Sequence, residues 1–407
     1  MNTKKSVCFF VREFPVLSET FVLNQVLEIA KSGFDVRVLS VNPITQDDRV
    51  KNNVFSQNNI KVDLIPIFTK KHDKSSFIQM FLGFLYCLFS IERLGLLKLF
   101  FSFLKKKNFF IARDLLCLVW NVRKLNISMD SCIAHFGNNG VVFDHLVKAK
   151  LIQCSHLFTI FHGFEISKYD QIRSWGNLYK TLSGTILPIS ELWSFKLQKL
   201  GVSKDKIEVI HMGVDIDRFS FKERDIGRVP SILTVARATE KKGLVYAIEG
   251  VLNCDLDCEL KVIGDGMLLP DLKAIALNHK NAHRVKFLGS RPSDFVVDAL
   301  DNSDIFLLPS VVDINGDMEG IPVSLMEAMA KGVLVLSTYH SGIPELIKDG
   351  LNGYLVQERD SVGISKKLES IIRDCEYKSL TIKARQTIEV DFNAKKLNER
   401  LCQLILS

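Results

Sequence analysis

Short, near-continuous apolar runs recur along the chain, each followed by a stretch with helical periodicity. VCFFV (7–11) leads into FVLNQVLEIAKSG, closed by Gly33, and DVRVLSV (35–41) follows. SCIAHF (131–136), HLFTIF (156–161) and TILPIS (185–190) continue the series. The second half starts again with SILTVA (231–236), CELKVIG (258–264), VKFLG (285–289), DIFLLPS (304–310) and VLVLST (333–338), interleaved with the helical GLVYAIEGVLN and VSLMEAMAKG. A strand with one wet face alternates apolar and polar residues, whereas a strand covered by helices on both faces is apolar throughout. The pattern therefore predicts an α/β protein with two doubly wound, parallel-sheet domains in tandem. We place the first at 1–205, with an insert at 70–124, and the second at 206–377. A terminal helical segment at 378–407 is left to pack on either. A chain of 407 residues is long enough to bury two such cores.

Composition removes other classes. With 47% hydrophobic residues, ten prolines and 23 glycines, the chain is neither disordered nor collagen-like. Its first apolar stretch is interrupted by Arg12 and Glu13, too early for a secretory core of about 7–15 residues. A cytoplasmic protein is expected. The nine cysteines are odd in number, scattered and without a C-x-x-C spacing. They read as small buried hydrophobes in a reducing compartment rather than as a zinc site or a disulfide framework.

The net charge of +7 is local. Residues 70–124 hold eleven basic and three acidic residues, a balance of +8, so the remainder of the chain sums to −1. No nucleic-acid motif accompanies this charge, and no nucleic-acid partner is expected. Instead the lysines flank FIQMFLGFLYCLFSI (77–91) and LGLLKLFFSFL (94–104), ending in Lys105, Lys106 and Lys107. The first run has 15 residues, short of the roughly 20 that span a bilayer. One reading is a pair of core helices with a solvated lysine cap. The aromatic density and the scarcity of acidic partners favour another: an interfacial segment whose lysines meet an anionic membrane surface.

The chemistry-bearing residues cluster at strand ends. No G-x-G-x-x-G follows the first strand and no phosphate-loop motif occurs anywhere, which counts against dinucleotide oxidoreductases and P-loop enzymes. The richest segment is Glu319-Gly320-Ile321-Pro322-Val323-Ser324-Leu325-Met326-Glu327. Pro322 suits a first helical turn, and a helix start preceded by glycine offers free N–H groups to an anion. Glu327, inside an otherwise apolar helix, needs a partner, and two vicinal ribose hydroxyls would supply two donors. Arg237 and Lys242 follow a buried strand, where two cations can neutralise a diphosphate. A solvated charge run is the alternative for Glu240-Lys241-Lys242. His162 and His135 each sit at a strand end, where a lone histidine is more often structural than functional. Asp215-Ile216-Asp217 and Asp255-Leu256-Asp257 mimic a metal-binding D-x-D, but neither directly follows a clear buried strand, so no metal site is expected.

Taken together these segments resemble the retaining glycosyltransferases of family 4, whose GT-B fold sets two Rossmann-like domains face to face across a cleft. The resemblance covers nearly the whole chain. It is carried by GVDIDRF (213–219), VARATEKKG (235–243), VIGDGMLLPDL (262–272), VKFLGSRP (285–292), EGIPVSLMEAMAKG (319–332) and HSGIPELIKDGLNGYLV (340–356). FPVLSETFVLNQV (14–26) and IAHFG (133–137) are similar to the bacterial subgroup that builds exopolysaccharide and colanic-acid-type repeat units. The resemblance implies a nucleotide-diphosphate sugar as donor, no further cofactor and no metal. It implies that Arg237 and Lys242 hold the diphosphate, with the backbone at Gly320 and Ile321. Glu327 would bind the ribose, and Glu319 and His162 would face the donor sugar. Ser18, Glu19 and Thr20 replace a glycine-rich loop found in many members and would lie near the phosphates. A polyprenyl-diphosphate-linked oligosaccharide is the expected acceptor, met at the cytoplasmic face of the inner membrane. A nucleotide-sugar 2-epimerase and a non-catalytic membrane scaffold are the alternatives.

Overall fold

The computed structural model describes residues 4–16, 20–41, 55, 58, 60–64, 74–227, 229–374 and 377–407. Two parallel six-stranded sheets carry the fold. The first contains β1 (Ser6–Val11), β2 (Asp35–Ser40), β3 (Lys61–Leu64), β4 (Ile127–His135), β5 (Ile152–Phe161) and β6 (Thr185–Pro188), in the order β3-β2-β1-β4-β5-β6. The second contains β7 (Ser231–Val235), β8 (Glu259–Ile263), β9 (Val285–Gly289), β10 (Ile305–Leu308), β11 (Leu334–Thr338) and β12 (Tyr354–Val356), in the order β12-β11-β10-β7-β8-β9. Read from its own first strand, each sheet has the same 3-2-1-4-5-6 order, the doubly wound arrangement in which ligands gather where the order reverses. The expectation of two tandem doubly wound sheets is borne out. In the first sheet the reversal falls between β1 and β4; in the second it falls between β7 and β10.

The apolar runs became strands because both faces are covered. Val7 to Val11 are at most 2% exposed, and all four residues of β10 are buried. The two strands outside the predicted series, β3 and β12, are sheet edges of four and three residues. Neither is long enough to leave a signal. Pro322 stands at the N-cap rather than inside the first turn, and the helix runs Val323–Ala330. Its ψ of 123° explains the shift, because that residue is still extended.

The insert folds as three helices, Lys74–Leu88, Leu94–Lys105 and Phe109–Val122. Leu96, Leu97, Leu99, Phe100 and Phe103 pack into the core of the first lobe. The opposite side stays outside: Phe81, Leu88 and Phe101 are about half exposed, and Phe89 and Ile91 are 83% and 86% exposed. Core helix and exposed aromatic face are therefore both present, on different sides of the same segment. No helix among the described residues is long and apolar enough to cross a membrane.

The chain passes between the lobes twice. Ile210 belongs to the first core and Val214 to the second. On the return, Phe392 belongs to the second core while Leu401, Cys402 and Ile405 belong to the first. The two passages lie side by side: Val214 N–H donates to Phe392 O at 2.9 Å and Ala394 N–H donates to Val214 O at 3.1 Å. At Gly213 a Cβ would sit 2.6 Å from the Ala394 nitrogen, so the crossing needs a glycine there.

Candidate active site

Both loops that flank the reversal in the second sheet point into the interlobe space. The loop after β7 turns through Glu240–Lys242 and closes on Gly243, at a φ of 62° and where a Cβ would sit 1.9 Å from Pro309 O. The loop after β10 carries Asp317 and Glu319. Lys242 Nζ lies 2.7 Å from Glu319 Oε2, and Lys241 Nζ lies 3.3 Å from Glu319 Oε1 and 3.2 Å from Asp317 Oδ1. Glu319 Oε1 is buried and makes no hydrogen bond. Burial opposes ionisation of Glu319, but Lys242 and Lys241 outweigh it and hold its pKa at about 2. The cluster thus contains two cations and two carboxylates and is neutral overall. Arg237, exposed at the end of β7 with no ion-pair partner among the described residues, adds the net positive charge.

Lys241 is a member of this site that the sequence hides, since Glu-Lys-Lys reads as a solvated run. A second hidden group lies behind Glu319. His340, fully buried after β11, accepts the Glu319 backbone N–H at its Nε2 (3.1 Å). That bond requires a lone pair on Nε2 and so puts the proton on Nδ1, which donates to Glu358 Oε1 at 2.6 Å. Glu358 also accepts the Val312 N–H, and Ser341 Oγ bonds Glu319 O. The loop bearing Glu319 is therefore fixed at both backbone atoms. Burial lowers the His340 pKa despite Glu358, which keeps this chain of bonds in its neutral form.

Glu327 stands on the Val323–Ala330 helix, and its carboxyl has no hydrogen-bond partner among the described residues. Burial raises its pKa to about 7, with Arg218 pulling the other way. An unpartnered, largely buried carboxyl is costly unless a ligand completes it. The helix start is close-packed: Ile321 is buried, and a Cβ on Gly342 would sit 2.8 Å from Ile321 Cγ1. Lacking a Cβ, Gly264 and Gly266 let the loop after β8 press against the backbone of Ala236 and Ala238.

The first lobe contributes the loop after β5. A Cβ on Gly320 would sit 2.8 Å from Ile189 Cδ1 and 3.2 Å from His162 O, so glycine is what allows His162 to approach the Glu319 loop. Glu165 shapes that approach. Its carboxylate, fully buried, accepts N–H groups from His162 (2.8 Å), Gly163 (3.0 Å) and Gly137 (3.3 Å). Burial nonetheless pushes its pKa up to about 7. His162 Nε2 lies 3.0 Å from His135 Nδ1 at the end of β4. At the reversal of the first sheet a cavity of about 170 Å³ is lined by Arg12, Asp114, Asn138, Asn139, Gln171 and Trp175, among others.

The structure thus brings together Glu319, Lys242, Gly320, Ile321 and His162. Glu327 and Arg237 stand on the same second-sheet elements. Ser18 and Glu19 lie outside the described residues, as does the side chain of Thr20. Lys105 and Lys107 are exposed, whereas Lys106 turns inward and bonds Ser174 O at 2.6 Å. The two Asp-x-Asp segments have local work: Asp215 accepts the Asp217 N–H, and Asp257 pairs with Arg284.

Residues 215–387 match the family described as "Glycosyl transferases group 1". The amylovoran biosynthesis glycosyltransferase AmsK of Erwinia amylovora is 35% identical over 98% of each chain. The putative colanic acid biosynthesis glycosyltransferase WcaL of Escherichia coli K12 is 34% identical, over 98% of this chain and 99% of its own. Among solved structures, Anabaena Alr3699/HepE in complex with UDP and glucose superposes with a TM-score of 0.72, covering 99% of both chains at 16% identity; that likeness speaks for the fold alone. The expected GT-B architecture is borne out, and the chain belongs to the group 1 glycosyltransferases.

Proposed function

We propose that this glycosyltransferase moves a sugar from a nucleoside-diphosphate donor, with retention at the anomeric carbon, onto a polyprenyl-diphosphate-linked oligosaccharide of a bacterial surface polysaccharide. The observation that carries the reading is the convergence of Glu319, Lys241 and Lys242 with His162 where the second sheet reverses its order. Arg237 and Lys242 hold the diphosphate, with the backbone at Gly320 and Ile321. Glu327 accepts the ribose hydroxyls, and Glu319 and His162 meet the donor sugar. Negative charge grows on the departing diphosphate as the anomeric bond breaks, and preorganised cations and N–H dipoles stabilise it without a metal. The leaving group is already activated, so no strong general acid is required, and the acceptor hydroxyl attacks the face from which the diphosphate departs. Closing the lobes expels water and limits hydrolysis of the donor.

The acceptor sugar occupies the cavity at the first reversal, where three amides offer hydrogen bonds and Trp175 an apolar wall. The lipid remains at the bilayer, against the exposed aromatic side of 77–110 with Lys98, Lys105 and Lys107. The similarity to AmsK and WcaL supports a place in exopolysaccharide assembly.

The test is a panel of nucleotide sugars with lipid-linked acceptors. Glu319→Ala and Lys242→Ala are each expected to lower turnover by about 10²–10³, as removal of one transition-state-stabilising group does, with the fold retained by circular dichroism. Full activity in both purified variants would refute the site. Formation of an epimerised nucleotide sugar in the absence of acceptor would favour an isomerase instead.

A further inference from the structure

His135 is fully buried at the end of β4, and its ring stacks on that of His162 with centroids 5.2 Å apart and planes 17° apart. Phe9 stacks near it at 6.0 Å, Phe21 lies 6.2 Å away, and Phe21 and Phe136 flank His162 at 4.7 and 4.6 Å. Among the described residues this cage offers the two rings no polar partner except each other. Burial drives His135 down to about 3, and burial together with His135 drives His162 well below its ordinary value. Both rings are neutral at physiological pH, so each carries one proton. What matters is where each proton sits.

The 3.0 Å contact between His135 Nδ1 and His162 Nε2 needs one proton between the two nitrogens. Two arrangements satisfy it. In the first, His162 Nε2–H donates, His135 Nδ1 accepts, and the His135 proton must sit on Nε2. That Nε2 is buried and has no hydrogen-bond partner among the described residues, so this arrangement strands an N–H donor in an apolar cage. In the second, His135 Nδ1–H donates to His162 Nε2, and the stranded atom carries only a lone pair. A buried unpaired N–H is the rarer and costlier defect. The second arrangement also decides His162: with Nε2 accepting, its proton is on Nδ1. That nitrogen has no partner among the described residues but, unlike His135 Nε2, is not sealed from solvent, so its N–H is not stranded.

We infer that His135 is a positioning residue whose Nδ1–H holds the neighbouring His162 in the tautomer that presents an Nδ1–H donor to the interlobe site. Sugar hydroxyl and phosphate oxygens accept such a bond, whereas the other tautomer would present a lone pair and repel a phosphate. The inference rests on the reading that His162 faces the donor. Its first test, however, does not depend on activity.

The full-length protein labelled with ¹⁵N-histidine is examined by long-range ¹H–¹⁵N correlation, with assignment from His135→Asn and His162→Asn. Both histidines are expected as neutral Nδ1–H tautomers; a His162 protonated at Nε2 overturns the inference whether or not the protein transfers sugar. In His135→Leu, which removes the donor, the Nδ1–H signal of His162 is expected to give way to the Nε2–H form. Turnover should fall about tenfold while affinity for UDP or GDP, measured by titration with each, changes less than threefold. His135→Asn keeps an N–H near the former Nδ1 and should recover turnover to within about threefold. Equal turnover in His135→Leu and the wild type would refute the positioning role, as would equal loss in Leu and Asn variants that both fold. Should His135→Leu fail to fold, the wild-type spectrum and His135→Asn still decide.

Discussion

Glu327 and Glu319 stand eight positions apart and titrate in opposite directions, because burial prevails over Arg218 at Glu327, whereas Lys242 and Lys241 prevail over burial at Glu319. Glu319, depressed to about 2, contributes stability that is present above the ordinary glutamate range and lost as pH falls toward 2. Glu327, raised to about 7, does the reverse: its contribution is complete below the unfolded-state value and disappears as pH rises through 7. Glu327→Gln carries no such penalty. Thermal unfolding should show the variant close to wild type at pH 5 and more stable at pH 8 by about 1–3 kcal/mol. A difference independent of pH would show that the carboxyl is not held in a desolvated place. The same substitution should weaken nucleotide binding, the usual trade between stability and a site awaiting its ligand. Glu319 and Lys242 were legible as candidates because they bracket a helix start and a strand end. Glu165, His340 and Glu358 were not. Each acts on a backbone or side chain brought close by folding, and a single polar residue outside an apolar run has no period to betray it.

At the scale of elements, the strand runs were legible because burial on both faces writes itself as unbroken apolar sequence. The edges β3 and β12, of four and three residues, are too short to write such a run. The insert divides by side: its inward leucines and phenylalanines hold the first core, while its outward aromatics and lysines remain wet. The lysine triplet divides likewise. Lys105→Gln with Lys107→Gln should reduce flotation with anionic vesicles roughly thirtyfold, at about 1 kcal/mol for each charge near the surface, with thermal stability unchanged. Lys106→Gln should lower stability by about 1 kcal/mol, through loss of its bond to Ser174 O, and leave flotation alone. Unaltered vesicle binding in the double variant would contradict the interfacial reading.

At the scale of the whole molecule, polar contacts join the two lobes. Glu345 accepts the N–H groups of Glu191 (2.9 Å) and Leu192 (3.1 Å) at the start of the Glu191–Lys199 helix and bonds His211 Nε2 at 3.0 Å. Burial opposes its ionisation, but His211 and those two N–H groups prevail and keep its pKa below the ordinary value. Met318 N–H donates to Ser167 Oγ, and Tyr169 N–H donates to Asn315 O. Gly320 is the tightest point of this contact. Gly320→Ala should lower turnover about tenfold by holding His162 away, since a displacement near 1 Å can cost up to a hundredfold. UDP or GDP affinity should fall by less than turnover does, because alanine keeps the Gly320 backbone N–H that seats the diphosphate. Parallel loss of both would place the defect inside that lobe instead.

The doubled passage at Gly213 and Ala394 also bears on how the protein is made. The helix Ala394–Leu406 lies against the first core, and Lys5 Nζ bonds Ile405 O and Leu406 O. On the ribosome the second lobe has all its strands before that helix emerges, so the lobe begun first is completed last. Nascent chains arrested before residue 394 should therefore resist protease in the later lobe while the earlier one stays open to cleavage.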